Sequence, residues 1–226
     1  VLKLRHGSCD TEAQVFMKLG RHPRLIRFLG QCIDGEDHFI ITEFAPHGCL
    51  CNAFLELEDE DGESPFTLAH KLVMLQQICE GMVALAEAKV SHRDLAARNV
   101  LLMDFDPEDI SRTSVKVADF GLSVGVGYGK NHMTVVGDQL PTRYLPPESL
   151  QRRRFSEKSD VWAFGVTSWE IFTAGIVHYF ELATDSEVIA PACSGGRPPC
   201  PPGCPPATWA LFTCPPYWPR PIQGGV

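Results

Sequence analysis

Apolar positions along the chain follow two periodicities, which divide it into helices and strands. Residues 68–89 place apolar side chains close to a 3.6-residue period, which predicts a long amphipathic helix. Residues 160–173 are apolar on nearly every side, which predicts a helix buried inside a domain. A shorter helix is expected over 11–19, and the β-branched and aromatic residues of 38–44 predict a strand. The pattern therefore indicates an α+β fold whose first quarter is mixed and whose remainder is mainly helical.

The composition fits a globular protein and excludes some function classes. Of 226 residues, 44% are apolar and 21% are charged, and the formal net charge is −8. This balance lacks the basic excess needed to bind a phosphate backbone, so we expect no nucleic-acid partner. Nine cysteines, an odd number, and no recognisable leader favour a reducing, cytoplasmic compartment. No apolar run reaches the ~18 residues of a membrane span, so none is expected in this chain.

The C-terminal segment 191–226 differs in composition from the rest. It holds 11 of the 18 prolines, which predicts an irregular end. Its cysteines leave open a zinc site from Cys193, Cys200, Cys204 and Cys214, although no paired C-x-x-C occurs. Residues 198–206 leave open a ligand for an SH3 domain.

Three motifs follow one another in the middle of the chain. Residues 92–99 read HRDLAARN and fit H-R-D-L-x-x-x-N at every fixed position. Residues 119–121 read DFG, and residues 146–148 read PPE where A-P-E is usual. In their order and spacing these motifs resemble those of a protein kinase, and the resemblance runs over nearly the whole sequence.

The resemblance implies a two-lobed protein-kinase-like fold with an incomplete β-rich N-lobe and a mainly helical C-lobe. Residues 1–45 would form the partial N-lobe and the hinge. Residues 46–190 would form the C-lobe with its catalytic loop and activation segment, and 191–226 its Pro- and Cys-rich end. Residues 103–113, longer than usual for the family, are expected to form the tip of a surface hairpin.

The same resemblance implies transfer of the γ-phosphoryl group of ATP. Such transfer requires positioned oxygens and neutralised charge more than covalent help. Asp94 would accept the proton of the substrate hydroxyl. Asn99 and Asp119 would hold Mg²⁺, which prefers hard oxygen ligands.

Two segments favour tyrosine as the acceptor. Tyrosine kinases carry an arginine four residues after the catalytic aspartate, and here this is Arg98, whereas Ser/Thr kinases have a lysine at the position of Ala96. Residues 140–150 are similar to the segment that binds substrate tyrosine, with Pro141 as a platform for the phenol ring. Tyr144 stands where Trp is usual in that segment. A tyrosine-kinase-like enzyme acting on Ser/Thr remains an alternative.

Activation is expected to depend on residues between the DFG and PPE motifs. Tyr128 is the candidate switch, because a phosphate there would add charge that Arg93 could bind. An unmodified loop tyrosine is an equal alternative.

The nucleotide site is expected before the long helix. By resemblance, Thr42 is the gatekeeper, the backbones of Glu43 and Ala45 face adenine, and Leu101 forms the floor of the pocket. Lys3 resembles the ATP-binding lysine, and Glu12 the helix glutamate that pairs with it; a surface lysine is the alternative for Lys3.

Three further residues are expected to be structural. Asp160 would brace the backbone of the catalytic loop, and Arg220 would pair with Glu148.

The sequence lacks the G-x-G-x-x-G-x-V loop that covers the ATP phosphates, and we expect a longer parent protein to supply it. Two hypotheses follow: an active tyrosine kinase with a protein substrate, or a catalytically weak or inactive kinase-fold module that binds partners. The parent protein could be a receptor.

Overall fold

The computed structural model describes residues 2–5, 10–35, 37–58, 64–125, 133–134 and 140–213, and for residues 2–5, 10, 133 and 213 the backbone alone. Its first part is a three-stranded antiparallel sheet with one helix. The elements are β1 (Leu2–Arg5), α1 (Asp10–Leu19), β2 (Phe28–Asp34) and β3 (Asp37–Thr42). The strand order is β1-β3-β2, with β3 in the centre.

The remainder is built from helices with short two-stranded ribbons between them. The helices are α2 (Leu50–Glu56), α3 (Leu68–Glu87), α4 (Pro147–Arg152), α5 (Glu157–Phe172), α6 (Asp185–Cys193) and α7 (Pro206–Thr213). The strands are β4 (Val90–Ser91), β5 (Val100–Asp104), β6 (Ser114–Val117), β7 (Val124–Gly125), β8 (Met133–Thr134) and β9 (Arg154–Phe155). The ribbons pair β4 with β7, β5 with β6, and β8 with β9, all antiparallel.

The two long helices form where the apolar pattern predicts them. Thr67 caps α3, because its hydroxyl accepts from the His70 amide while the His70 ring accepts from the Thr67 amide. A similar reciprocal cap of Ser156 and Ser159 begins α5. Most of α5 is buried, as expected for a helix that is apolar on nearly every side.

Two backbone hydrogen bonds join the sheet region to the helical region. The Val117 amide donates to the Arg24 carbonyl at 2.9 Å, and the Ile26 amide donates to the Val117 carbonyl at 2.9 Å. Gly81 of α3 packs against this junction, because a Cβ there would lie 2.9 Å from the Arg24 carbonyl oxygen. These contacts fix β6, and so the residues that follow it, relative to the sheet.

The hairpin predicted around residues 103–113 is present between β5 and β6, and residues 107–112 at its tip are exposed. The prediction of an irregular C-terminal end is partly wrong. Pro191 lies within α6, and α7 begins at Pro206, where the missing amide costs no hydrogen bond because the first turn leaves its donors unpaired.

Candidate functional site

Asp160, near the start of α5, holds the loop between β4 and β5 in place. Its carboxylate accepts hydrogen bonds from the backbone amides of His92 at 2.9 Å and Arg93 at 3.0 Å. Burial raises the pKa of Asp160, while these two amides oppose that shift. A buried acceptor with two loop donors fixes the loop backbone to the most buried helix of the fold.

His92 ties this loop to the segment that follows β6. Its Nδ1 accepts from the Asp94 amide at 3.2 Å, so the proton sits on Nε2, which donates to the Ala118 carbonyl at 3.1 Å. The ring also packs on Phe120, with centroids 5.5 Å apart. One buried imidazole thereby joins the Asp94 amide to the backbone that directly precedes Asp119.

Donors orient both oxygens of the Asp94 carboxylate. Arg98 forms an ion pair with Oδ1, and the Asn99 amide group donates to Oδ2 at 2.8 Å and to the Asp94 carbonyl at 2.7 Å. The Asp94 side chain is 15% exposed, so it is shielded yet still reachable from solvent. The structure thus brings Asp94, Arg98 and Asn99 together as one group.

Asn99 and Asp119 meet the chemical requirement for a Mg²⁺ site. Because Nδ2 of Asn99 is committed to Asp94, its Oδ1 is left as an acceptor of the hard type that Mg²⁺ prefers. The Ala118 amide donates to the Asn99 carbonyl at 2.8 Å, which places the two residues on adjacent backbone segments. The residues present therefore fit the ion.

Two residues of the site have left-handed backbone conformations. Arg93 has φ +70° and Asp119 has φ +63°, which non-glycine residues rarely adopt. Such conformations cost on the order of 1–3 kcal/mol each and tend to occur at functional sites. Here the buried hydrogen bonds to Asp160 and Ala118 hold the backbone in place.

Helix α1 packs directly on the DFG segment. The Phe16 ring stacks on Phe28 and meets Phe120 edge to face, with both centroid distances 5.0 Å. Glu12 is buried on the same helix, 5% exposed. The backbone of Lys3 lies on β1 opposite Ile40, but its side chain lies outside the described residues, so the Lys3–Glu12 pair stays a prediction.

The segment after β3 has the donors expected for adenine. The Glu43 amide donates to the Arg27 carbonyl at 3.0 Å, whereas the Ala45 amide has no hydrogen-bond partner among the described residues. The Ala45 amide is thus available to donate to a ligand. The Thr42 hydroxyl donates to the Glu43 carbonyl at 3.2 Å, and Leu101 lies on β5 opposite Lys116.

The Glu43 side chain bonds to neighbouring protein groups and takes no part in the expected contact with adenine. Its Oε1 accepts from Lys116 Nζ at 2.5 Å and from the Arg27 amide at 2.8 Å. Burial raises the pKa of Glu43, but these hydrogen bonds outweigh burial, so its pKa lies below the ordinary value. The side chain therefore locks the segment to β6.

The activation segment is described only in part. Arg93 donates to the Leu122 carbonyl at 2.9 Å, and its guanidinium lies 4.5 Å from the centroid of the Phe155 ring. Pro141 precedes a short 3₁₀ turn, Thr142–Tyr144. Tyr128 lies outside the described residues, and its role as a switch stays a prediction.

Comparison with known proteins identifies this arrangement. The family model described as protein tyrosine and serine/threonine kinase matches residues 4–215. The chain belongs to this protein kinase family. The resemblance inferred from the three motifs is therefore confirmed, as is the α+β kinase fold.

The relatives of this kinase domain include a cytoplasmic tyrosine-protein kinase, a receptor and a protein whose name calls it inactive. It is 39% identical over 186 residues to the cytoplasmic tyrosine-protein kinase BMX of Mus musculus, covering 82% of the chain and 26% of that protein. It is 38% identical over 199 residues to the inactive tyrosine-protein kinase 7 of Gallus gallus, covering 86% and 18%. It is 36% identical over 212 residues to the high affinity nerve growth factor receptor of Rattus norvegicus, covering 89% and 25%. The chain thus spans only about a quarter of such relatives or less.

The kinase domain contains a buried carboxylate that sequence reasoning missed as a functional residue. Glu170 of α5 accepts from the Ala97 amide at 2.9 Å and from the Tyr144 hydroxyl at 2.6 Å. The Arg98 guanidinium lies 4.9 Å from the centroid of the Tyr144 ring. A glutamate in an otherwise apolar helix was the available signal, because a buried charge needs partners.

The other predicted structural pair is only half described. Glu148 lies on α4 and is partly buried, while Arg220 lies outside the described residues, so their pairing stays a prediction. The Arg197 guanidinium lies 4.4 Å from the centroid of the Trp162 ring and experiences the charge of Glu148. Arg197 therefore supplies positive charge beside Glu148.

The described residues contain neither a helix that could span a membrane nor a metal-binding cluster. Among the described residues of the kinase domain, no helix has the length and apolarity needed to cross a membrane. In the same part of the chain, no group of three or more His, Cys, Asp or Glu side chains could hold a metal ion. Cys193, Cys200 and Cys204 therefore form no zinc cluster there, and Cys214 lies outside that part.

Proposed function

We propose that this chain is the catalytic domain of a protein tyrosine kinase, which transfers the γ-phosphate of ATP to tyrosine hydroxyls of a protein substrate. The observation that carries the proposal is the intact group of Asp94, Arg98 and Asn99 beside Asp119. Kinase-fold proteins that have lost catalysis commonly lack one of these carboxylates. Here both are present and oriented.

In this proposal Asp94 is the general base. Its oxygens are held by Arg98 and Asn99, so the carboxylate is aligned before the substrate binds. It accepts the proton of the attacking hydroxyl, a contribution typically worth about 10²- to 10⁴-fold in rate. Bound at Asn99 and Asp119, Mg²⁺ would neutralise charge on the transferring phosphates.

Arg98 and the segment after Pro141 support tyrosine as the acceptor. Arg98 places a positive charge next to Asp94. In a Ser/Thr kinase this charge comes from a lysine at the position that Ala96 occupies here. The Arg98 guanidinium packs on Tyr144, which belongs to the segment expected to bind substrate. A bulky phenol acceptor would fit between a catalytic loop and a substrate segment joined in this way.

At the nucleotide end, we propose that the free Ala45 amide and the Glu43 carbonyl bind adenine above Leu101. Lys3 would hold the phosphates, and Glu12 would pair with Lys3. The family generally uses ATP and Mg²⁺, which agrees with these roles. We place the domain in the cytoplasm, as a part of a longer protein that could be a receptor.

The main alternative is a weak or inactive kinase-fold module that binds partners. The relative named as inactive, from Gallus gallus, favours it. A second alternative is transfer to Ser/Thr, which the family description also covers.

The test is Mg²⁺-dependent phosphate transfer from ATP to a Glu-Tyr copolymer, with this chain and with a longer form that carries residues before Val1. Asp94→Asn is the matched variant, because the amide keeps the shape but cannot accept the proton. We expect transfer that Asp94→Asn reduces by about 10²-fold or more. No transfer by either form, together with no thermal shift on addition of Mg-ATP, would favour the binding module instead.

A further inference from the structure

Two thiols meet at the start of α2, outside the catalytic group. Cys49 is the residue before the helix, with φ −86° and ψ 155°, and Cys51 is the second residue within it. Their Sγ atoms lie 2.8 Å apart. A disulfide bond is about 2.05 Å long, so the two sulfurs need to approach by less than one ångström to form one.

The backbone around the two thiols is fixed by its own contacts. The Ala53 amide donates to the Cys49 carbonyl at 3.0 Å, and Cys49 also forms an antiparallel bridge with Leu101. Leu50, between the two cysteines, is fully buried. Because the backbone is anchored on both sides, the side chains of Cys49 and Cys51 are held towards each other.

The two thiols differ in environment. Burial and the neighbouring Cys49 thiol raise the pKa of Cys51 to about 12. This raised pKa favours the protonated form of the Cys51 thiol, whereas the thiolate is the reactive form of a cysteine. Both residues are partly exposed, so a small oxidant can reach the pair.

We propose that Cys49 and Cys51 form a reversible disulfide when the protein meets hydrogen peroxide. The Cys49 thiolate attacks one peroxide oxygen, the O–O bond breaks, and a sulfenic acid and hydroxide form; the hydroxide takes up the proton that the Cys49 thiol had released and leaves as water. The Cys51 sulfur then attacks the Cys49 sulfur, the S–O bond breaks, and the departing hydroxide takes the Cys51 proton as a second water. Two thiols are oxidised and one peroxide is reduced, and a dithiol reductant reverses the step.

The pair adjoins the proposed nucleotide site without belonging to it. The Gly48 amide donates to the Ala45 carbonyl at 3.2 Å, and the Gly48 carbonyl accepts from the Leu102 amide at 2.9 Å. Cys49 follows directly. The inference stands on the geometry of the thiols alone and does not depend on whether the chain transfers phosphate.

The test is peptide mass mapping of the folded protein after treatment with limiting hydrogen peroxide. Free thiols are alkylated, the protein is digested, and the peptide that contains both cysteines is weighed. We expect this peptide to escape alkylation and to lose the mass of two hydrogen atoms, and we expect dithiothreitol to restore two alkylation sites. Cys32, an exposed single cysteine, is the internal control and should still be alkylated at the same dose.

Single substitutions separate the two steps. Cys51→Ser removes the second thiol, so Cys49 should remain as a sulfenic acid that dimedone captures. Cys49→Ser should leave Cys51 reduced at the same dose. The inference is overturned if both wild-type thiols stay alkylatable when Cys32 is oxidised, or if either one pairs with a different cysteine. The wild-type map needs no variant, so a folding defect of a variant leaves the result decisive.

Discussion

The Tyr144 hydroxyl donates a 2.6 Å hydrogen bond to the Glu170 carboxylate, which also accepts from the Ala97 amide. This buried carboxylate joins the 3₁₀ turn Thr142–Tyr144 to the loop between β4 and β5 from within α5. Burial raises the pKa of Glu170 to about 7, although the hydrogen bonds from Tyr144 and Ala97 oppose the shift. Whether Glu170 is protonated therefore affects the contact between the Tyr144 turn and the loop that contains Ala97.

Removing the Tyr144 hydroxyl is expected to destabilise the fold. Tyr144→Phe leaves one oxygen of Glu170 without its donor, which typically costs about 1–3 kcal/mol. The measurement is urea unfolding at pH 8, where Glu170 is mostly ionised. Tyr179→Phe is the matched control, because the buried Tyr179 hydroxyl has no hydrogen-bond partner within the described residues. Equal losses for both variants would contradict the role assigned to the Tyr144–Glu170 bond.

Glu170 is expected to make stability fall as the pH rises from about 4.5 to about 7. Between its ordinary pKa of 4.5 and its native value, the folded state holds a proton that the unfolded state releases. Raising the pH through this window therefore lowers the free energy of unfolding, by on the order of 3 kcal/mol. Glu170→Gln does not titrate. The difference in unfolding free energy, wild type minus variant, should decline across this window, and a flat difference would refute the prediction.

His178 is expected to act in the opposite direction. Burial lowers its pKa to about 4, with Glu181 opposing and Arg143 adding to the shift. Below pH 6.5 the unfolded state binds a proton that the native state excludes, so stability falls as the pH drops towards 4. His178→Phe keeps an aromatic ring beside Trp169 and removes the titration. The unfolding free energy of this variant should lose less than that of wild type on acidification from pH 6.5 to 4.

Gly81 is expected to be required for the close contact between α3 and the sheet region. Alanine favours helix by up to about 1 kcal/mol over glycine, yet a Cβ here would lie 2.9 Å from the Arg24 carbonyl oxygen. Overpacking of this kind typically costs about 1–3 kcal/mol, so Gly81→Ala should lower the unfolding free energy.

The control for Gly81→Ala is Gly30→Ala in β2, where no atom would lie within 4 Å of the added Cβ. Urea unfolding of the two variants under the same conditions compares them directly. A more stable Gly81→Ala protein would show that helix propensity outweighs the contact.

Local patterns predicted the elements well, because helices such as α3 and α5 depend on the spacing of their own apolar residues. The group of Asp94, Arg98 and Asn99 could also be found, because its members lie within one short loop. The Tyr144–Glu170 bond could not, since its partners are 26 residues apart on different elements. Helix α7 could not be predicted, because a high proline content indicates irregular chain, although Pro206 occupies a first-turn position that tolerates proline.

The most direct test of the central claim compares three peptides that differ only in the acceptor: tyrosine, serine or threonine. Phosphate transfer from Mg-ATP is measured for the wild-type protein and for Asp94→Asn. The account predicts transfer to the tyrosine peptide, little to the other two, and a loss of about 10²-fold or more in Asp94→Asn. Transfer that prefers serine or threonine, or that is equal in Asp94→Asn, would contradict the account.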